Sequence, residues 1–351
     1  MTDQLSSLQA TALAPPNAPV AQVRRLVVEQ YGFDGKLKLL VSERDQNFRL
    51  TRVDGPDCVV KIANSAEDKA VTDFQIQALR HLETNACPVI VPRIIRTRSG
   101  ALSTSVSHRG SAHALRIVSY VPGCPLEGTA PGAELARQMG RSLAEIDMSL
   151  SNFEHPFDSP VLPWDMQRAS DLRGLMSHVV DAELQAMVRE CLDDFERYAV
   201  PAFASLRSQI IHNDLSPGNV LVTEGEPISV AGVIDFGDML RAPLVIDVAI
   251  AASYCRTEKE DALSELGAFV AGFDEVTPLE DAELELLYEL VRMRIATTIT
   301  FMYWRKSAGP ESDAYTQKAL QNEHGAERFL RRVNRLKREQ FTARLRSACG
   351  R

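Results

Sequence analysis

The stretch Ile210-Ile211-His212-Asn213-Asp214-Leu215-Ser216-Pro217-Gly218-Asn219-Val220-Leu221-Val222 runs from an apolar segment through a polar loop into a second apolar segment. Its carboxylate, Asp214, and its amide, Asn219, stand five residues apart. A further apolar run, Ser229 to Ile234, delivers Asp235-Phe236-Gly237-Asp238, which sets the two leading aspartates 21 positions apart. Phosphoryl transfer needs such a set. One carboxylate must orient an attacking hydroxyl and take its proton, and a few oxygen ligands must hold Mg²⁺ across the nucleotide phosphates. Asp214 suits the base, and Asn219 and Asp235 suit the metal. Lys61, between apolar neighbours in Val59-Val60-Lys61-Ile62, could supply the cation that meets the phosphates.

Each of these residues also has a plainer use. HxD or DFG in isolation is most often a turn and a cap, and Lys61 alone would read as an edge-strand lysine with its head in water. The two acidic loops together, both behind strand-like segments, favour chemistry. His212 reads as an ordering histidine bonded to backbone near Asp235 rather than as a base, and Phe236 as a packing residue. Asp238 is either a substrate or metal-shell group or a loop cap.

The surrounding pattern must position these loops. Val20 to Tyr31 has the spacing of an amphipathic helix, followed by strand-like stretches Lys36–Val41, Phe48–Val53 and Cys58–Ile62. Ala66 to Leu82 reads as a helix with one apolar face, and Pro92–Arg98, Leu102–Val106 and Ala114–Val121 as further strands. The first third is thus an antiparallel sheet with one prominent helix, an α+β pattern. Pro122 and Gly123 end the last strand. Helices are then expected over about 131–150, 165–178 and 180–207, a β-rich island over about 210–235, and helices again from about 243. Three segments result: a loose leader over 1–19, a nucleotide-binding lobe over 20–121, and a catalytic and substrate-binding lobe over 122–351.

A chain of 351 residues fits two lobes better than one core. Net charge is −8, but residues 328–351 carry nine Lys/Arg against one acid, which leaves −16 on the remainder. An acidic body argues against a nucleic-acid partner and favours a cationic small molecule. The basic tail, with Phe329, Val333, Leu336, Phe341 and Leu345 near helical spacing, reads as a solvated terminal helix. No apolar run reaches a membrane span, the N-terminus lacks a signal-peptide pattern, and six scattered cysteines without CxxC suit reduced thiols in the cytoplasm.

HNDLSPGN, IDFGD and VVKI together resemble the aminoglycoside phosphotransferase/choline-kinase-like superfamily. Ser42–Phe48, Val233–Met239 and Val245–Tyr254 are similar to hydroxylysine kinase-like proteins. The resemblance implies a bilobal protein-kinase-like fold, with an N-terminal antiparallel sheet plus helix and a larger, mostly helical C-terminal lobe. It implies Asp214 as base, Asn219 and Asp235 on Mg²⁺, and Lys61 on the phosphates of ATP or GTP. Ser42, Asp45, Gln46, Asn47 and Phe48 would form the loop over the nucleotide, Ser119, Tyr120 and Val121 the hinge at its base, and Asp247 a helix cap bracing the catalytic loop. Two departures stand out: SERDQNF has no glycine, and the helix expected to offer a glutamate to Lys61 offers Gln75, with Asp73 as the other candidate.

In such proteins the acceptor sits against C-lobe helices. Here Glu280–Lys306 carries Arg292 and Arg294, which either pair with an acceptor carboxylate or form surface salt bridges with Glu285 or Glu289. Tyr303 and Trp304 read as core. The expected activity is phosphoryl transfer to a hydroxyl of an amino alcohol or hydroxy amino acid. An aminoglycoside-type antibiotic kinase and a nucleotide-binding regulatory module are the competing readings.

Overall fold

The computed structural model describes residues 15–42, 44–126, 131–308 and 325–351. Most of the expected leader, Glu43 of the nucleotide loop, and 309–324 lie outside the described residues. The end of the leader is not loose. Ala18 is buried, and its backbone exchanges two hydrogen bonds with the Gln46 amide at 2.9 and 3.2 Å.

Helix α1 (Val20–Tyr31) is followed by β1 (Gly35–Leu40), β2 (Gln46–Arg52), β3 (Cys58–Ile62), α2 (Lys69–Thr84), β4 (Ile94–Ile95), β5 (Thr104–His108) and β6 (Ser111–Ser119). The sheet order is β1-β2-β3-β6-β4, with β5 also on β6 and every pair antiparallel. The strand expected over Pro92–Arg98 contracts to two residues. β4 pairs only at Ile117 and Val118, because β5 takes the rest of that edge of β6 from Ser111 to Leu115.

Alternation along the strands separates two faces. Phe48, Leu50, Cys58, Val60, Ile62, Leu115 and Ile117 pack against Val23, Val27 and Tyr31 of α1. Asn47, Lys61 and Arg116 stand in register across β2, β3 and β6 on the opposite face. On that side the buried residues of α2, Phe74, Ala78, Leu79 and Leu82, join the larger core of the helical region.

The second part begins with β7 (Cys124–Pro125), which pairs with a later strand and ties the crossover to the catalytic island. Then come α3 (Ala133–Leu150), a 3-10 segment (Met166–His178) and α4 (Ala182–Asp194). The segment expected as an α-helix over 165–178 is 3-10. Its buried residues Met166, Ala169, Leu172 and Leu175 recur at every third position, the period of a three-residue turn. The helix expected over 180–207 breaks into a π turn (Phe195–Ala199) and a 3-10 turn (Val200–Ser205) around Pro201, which has no N–H to donate.

Strands β8 (Ser208–Ile211), β9 (Val220–Val222), β10 (Val230–Val233) and β11 (Leu240–Pro243) form two small sheets, β10-β9-β7 and β11-β8. Helix α5 (Leu244–Ala252) is buried at every position. Helices α6 (Ser264–Val276), α7 (Asp281–Ala308), α8 (325–333) and α9 (Arg338–Ala348) complete the lobe. α3 and α6 cross so closely that a Cβ on Gly140 would lie 2.0 Å from the Phe269 carbonyl, and one on Gly272 2.0 Å from that of Arg137.

The basic tail is not a solvated helix. Phe329, Leu330, Val333, Phe341 and Leu345 are buried in the main core. Arg338 pairs with Glu289 at 3.1 Å, Arg346 with Glu285 at 3.1 Å and Arg351 with Asp274 at 2.5 Å. The positive excess is thus spent on the acidic body. Phe341→Ala should remove about 3–5 kcal/mol of stability and lower the thermal midpoint by about 5–10 °C in scanning calorimetry; an unchanged midpoint would mean that α9 is not packed.

Candidate active site

Everything at the site is hung from Asp247, in the first turn of α5 and fully buried. Its carboxylate accepts the backbone N–H of His212 at 2.7 Å and that of Asn213 at 2.9 Å. It braces the loop after β8, but not as a helix cap, since Pro243 holds the N-cap position. Asn213 has φ +64° and sends its amide to the Asp238 carbonyl at 3.0 Å. Short polar side chains tolerate this left-handed backbone best.

The carboxyl of Asp247 also meets that of Asp147 on α3. Neither oxygen of Asp147 has another partner. Asp147 therefore keeps its proton: burial and the charge of Asp247 push its carboxyl well above the usual range. Asp247, fed by two backbone N–H groups, is the better anion of the two.

His212 Nε2 lies 3.3 Å from the Ile234 carbonyl, and its Nδ1 accepts the Asp214 N–H at 3.2 Å. These bonds select the neutral tautomer with the proton on Nε2. Burial lowers its pKa to about 4, so it stays uncharged at working pH. Its ring meets the edge of Phe236 with centroids 4.7 Å apart. Ile234 also donates its N–H to the Asn219 carbonyl at 2.9 Å. The two acidic loops are stitched side by side through these contacts.

Asp214 Oδ2 accepts the Asn219 amide at 2.6 Å. Burial, with Asp238 beside it, raises the Asp214 carboxyl well above its ordinary value, while Arg294 opposes the shift. Asp235, at φ +62°, leaves half of its side chain exposed and sits 3.6 Å from Lys61 Nζ. Lys61 is the main cause holding its carboxyl below the usual range. With its amide nitrogen committed to Asp214, Asn219 has Oδ1 left to coordinate. Asn219 and Asp235 offer two hard oxygens, the sparse set Mg²⁺ accepts when phosphates and water complete its shell.

The remaining expectations divide. Asn47 lies beside Lys61 in register. Gln46 and Phe48 alternate to the other face, Gln46 bound to Ala18 and Phe48 in the α1 core, so neither side chain shares the face of Lys61. Ser42 Oγ accepts the Asp45 N–H at 3.3 Å, and Asp45 Oδ1 accepts the Asn64 N–H at 3.4 Å, which gives the glycine-free loop internal ties. Ser119 Oγ accepts the Arg93 N–H at 2.9 Å, Arg49 stacks on Tyr120 at 4.1 Å, and Val121 is buried.

Gln75 does not serve Lys61. It accepts a hydrogen bond from Arg116 and reaches the Gly237 carbonyl at 3.4 Å. Asp73 faces away, toward His155 at 3.2 Å. Asp238 is ion-paired with Arg44 through Oδ1.

Neither Arg292 nor Arg294 is a surface arginine; they are 1% and 2% exposed. Arg292 is removed from the acceptor role, because Asp194 at 2.6 Å, Glu190 at 3.6 Å and Asn334 at 2.8 Å consume it within the helical core. Glu285 and Glu289 pair instead with the tail. Arg294 stands over Trp164 at 4.7 Å and donates to the Tyr254 hydroxyl at 3.2 Å, while its Nε and Nη1 have no partner. Tyr303 and Trp304 pack against the main core.

The sequence reading missed Arg44, Asp147, Arg116 and Trp164. Two of them left a trace: Asp147 interrupts the apolar stripe of Leu143, Ile146 and Leu150, and Arg116 interrupts the apolar run of β6.

A lysine-bearing antiparallel sheet over paired Asp/Asn and Asp loops, backed by a buried aspartate on a helix, defines a protein-kinase-like phosphotransferase. The description "Phosphotransferase enzyme family" matches residues 36–281, and the chain belongs to that family. It is 30% identical over 318 residues to a hydroxylysine kinase of Xenopus laevis, with 84% of each chain covered. It is also 27% identical over 227 residues to a homoserine kinase of Azorhizobium caulinodans, covering 64% of this chain and 66% of that one. Among solved structures, an amicoumacin kinase complex with AMP-PNP and Ca²⁺ superposes at TM-score 0.68 with 14% identity, covering 95% of this chain and 99% of that one. A microcompartment-associated aminopropanol kinase does so at 0.63 with 18% identity, covering 90% and 98%. The chain is a small-molecule kinase with an alcohol as phosphoryl acceptor.

The Asp147–Asp247 pair has a pH signature. A carboxyl raised in the folded state stabilises the fold while protonated, and that stability is lost as pH rises through the raised value. The loss starts above the unfolded carboxylate value of about 4, is complete for Asp247 once pH passes about 6, and continues beyond that for Asp147, whose carboxyl is raised further. Asp147→Asn keeps a neutral donor that does not titrate. Its thermal midpoint should fall less than that of the wild type between about pH 6 and 9; parallel pH profiles would remove the shared proton.

Proposed function

We propose that this kinase transfers the γ-phosphoryl group of a Mg²⁺-bound nucleoside triphosphate to the hydroxyl of a hydroxy amino acid of the hydroxylysine type. The carrying observation is the meeting of the Asp214–Asn219 loop with Asp235 beneath Lys61. In this reading Asp214 accepts the acceptor's proton, and its raised affinity for protons suits a base. Asn219 Oδ1 and the Asp235 carboxylate hold the metal, which when bound neutralises phosphate charge. Lys61 attracts the donor phosphates while keeping Asp235 ionised. Asn47 and the loop from Ser42 to Asp45 border the same end of the sheet, and Ser119–Val121 borders the base side.

Arg294 supports an acceptor that carries a carboxylate. A buried guanidinium with two unpartnered N–H sites is costly unless an anion completes it. Its electrostatic contact with Asp214 puts that anion within a small molecule's reach of the base. The names of the hydroxylysine and homoserine kinases it resembles support the same class. The six unpaired cysteines support a cytoplasmic setting.

Coupled nucleoside diphosphate release, run with 5-hydroxylysine, homoserine, amino alcohols and aminoglycosides, tests the reading. Asp214→Asn should lower kcat about 10³-fold and leave the calorimetric Kd for Mg-AMP-PNP within about threefold; retained turnover would exclude Asp214 as base. Arg294→Met should raise KM about 10–100-fold for a carboxylate-bearing acceptor and hardly at all for an amino alcohol. Equal effects on both would count against the carboxylate.

A further inference from the structure

Arg116 and Gln75 are buried, at 2% and 4% exposure, on the side of the sheet that carries Lys61. Arg116 stands directly across from Lys61 in the β3–β6 register, so two cations share one face as neighbours. Like charges in that relation repel, and such local conflict marks a functional constraint. No carboxylate among the described residues lies within ion-pair distance of Arg116, although Glu67 and Asp235 both feel its charge. Its Nη2 donates to Gln75 Oε1, and Gln75 Nε2 donates in turn to the Gly237 carbonyl, two residues beyond Asp235. The bonds run from strand β6 through helix α2 into the metal-binding loop.

We propose that Arg116 and Gln75 are positioning residues that set the Asp235–Gly237 loop, and that an amide is required at 75 because it must accept at one end and donate at the other. A glutamate could accept from Arg116, but it has no proton for Gly237 and would face that carbonyl with like polarity. Lys61, which needs no partner from α2, is left to Asp235 at 3.6 Å. The assignment rests on the kinase reading above, since the loop it positions is the one assigned to the metal.

The test installs the residue that a lysine on β3 would ordinarily call for. Gln75→Glu should keep or raise the thermal midpoint, because its bond to Arg116 becomes an ion pair. It should nonetheless lower kcat about tenfold or more, and shift the Mg²⁺ concentration for half-maximal rate, with acceptor KM unchanged. Arg116→Met approaches the relay from its other end. It should show the same loss of kcat, and the double variant should be no worse than the more impaired single one. Turnover is read with whichever acceptor the wild type phosphorylates, and Mg-AMP-PNP binding is measured in parallel. Wild-type kcat and metal titration in either variant would overturn the relay and leave the kinase reading intact. A wild-type protein that neither binds Mg-AMP-PNP nor turns over any acceptor would overturn both.

Discussion

The site depends on one buried carboxylate accepting two consecutive backbone N–H groups. Asp247 fixes the peptides of His212 and Asn213, and those peptides aim Asp214. The bonds are charge-assisted and shielded from water, so they are stronger than neutral ones and unscreened by salt. They are made by a helix with no exposed position. The left-handed backbone at Asn213 and Asp235 can persist because the surroundings over-determine it.

Buried charge organises the cleft beyond that anchor. Lys61 and Asp235 balance each other locally, as do Arg44 and Asp238. Arg116 and Arg294 do not balance, and they flank the catalytic loops from opposite lobes. A buried guanidinium left short of acceptors stores an unfavourable desolvation term. At Arg294, whose Nε and Nη1 have no partner, that term is what the proposed carboxylate-bearing acceptor would relieve. At Arg116 the neutral amide of Gln75 takes one bond without cancelling the charge.

How the sequence fared differs by residue. Asp214, Asn219, Asp235 and Lys61 were readable because motif spacing and flanking apolar runs encode loop-after-strand geometry locally. The motif Ser42–Phe48 is contiguous in sequence, yet period-two alternation turns Gln46 to Ala18 and Phe48 to α1 and leaves Asn47 with Lys61. The register alone supplies that distinction. The 3-10 segment was hidden by a composition equally consistent with an α-helix, although its three-residue burial spacing lay in plain sight. The tail's arginines suggest a solvated helix because their acidic partners, Glu289 for Arg338 and Glu285 for Arg346, belong to α7, far away in sequence.

Local sequence thus carries the reaction class, the order of strands and helices in the first lobe, and the two acidic loops that meet near Lys61. Short-range spacing and hydrophobic period carry that information directly. Which arginine keeps unpartnered donors, which groups Gln75 bonds, and which carboxyl Asp147 meets depend on how distant segments pack. Each depends on whether a counter-charge from another element arrives within hydrogen-bond reach. Arg292 met Asp194 and became structure; Arg294, two positions on, met an aromatic wall and kept its donors. Burial makes that difference large, since a charge removed from water must find its partner in the fold or in a ligand.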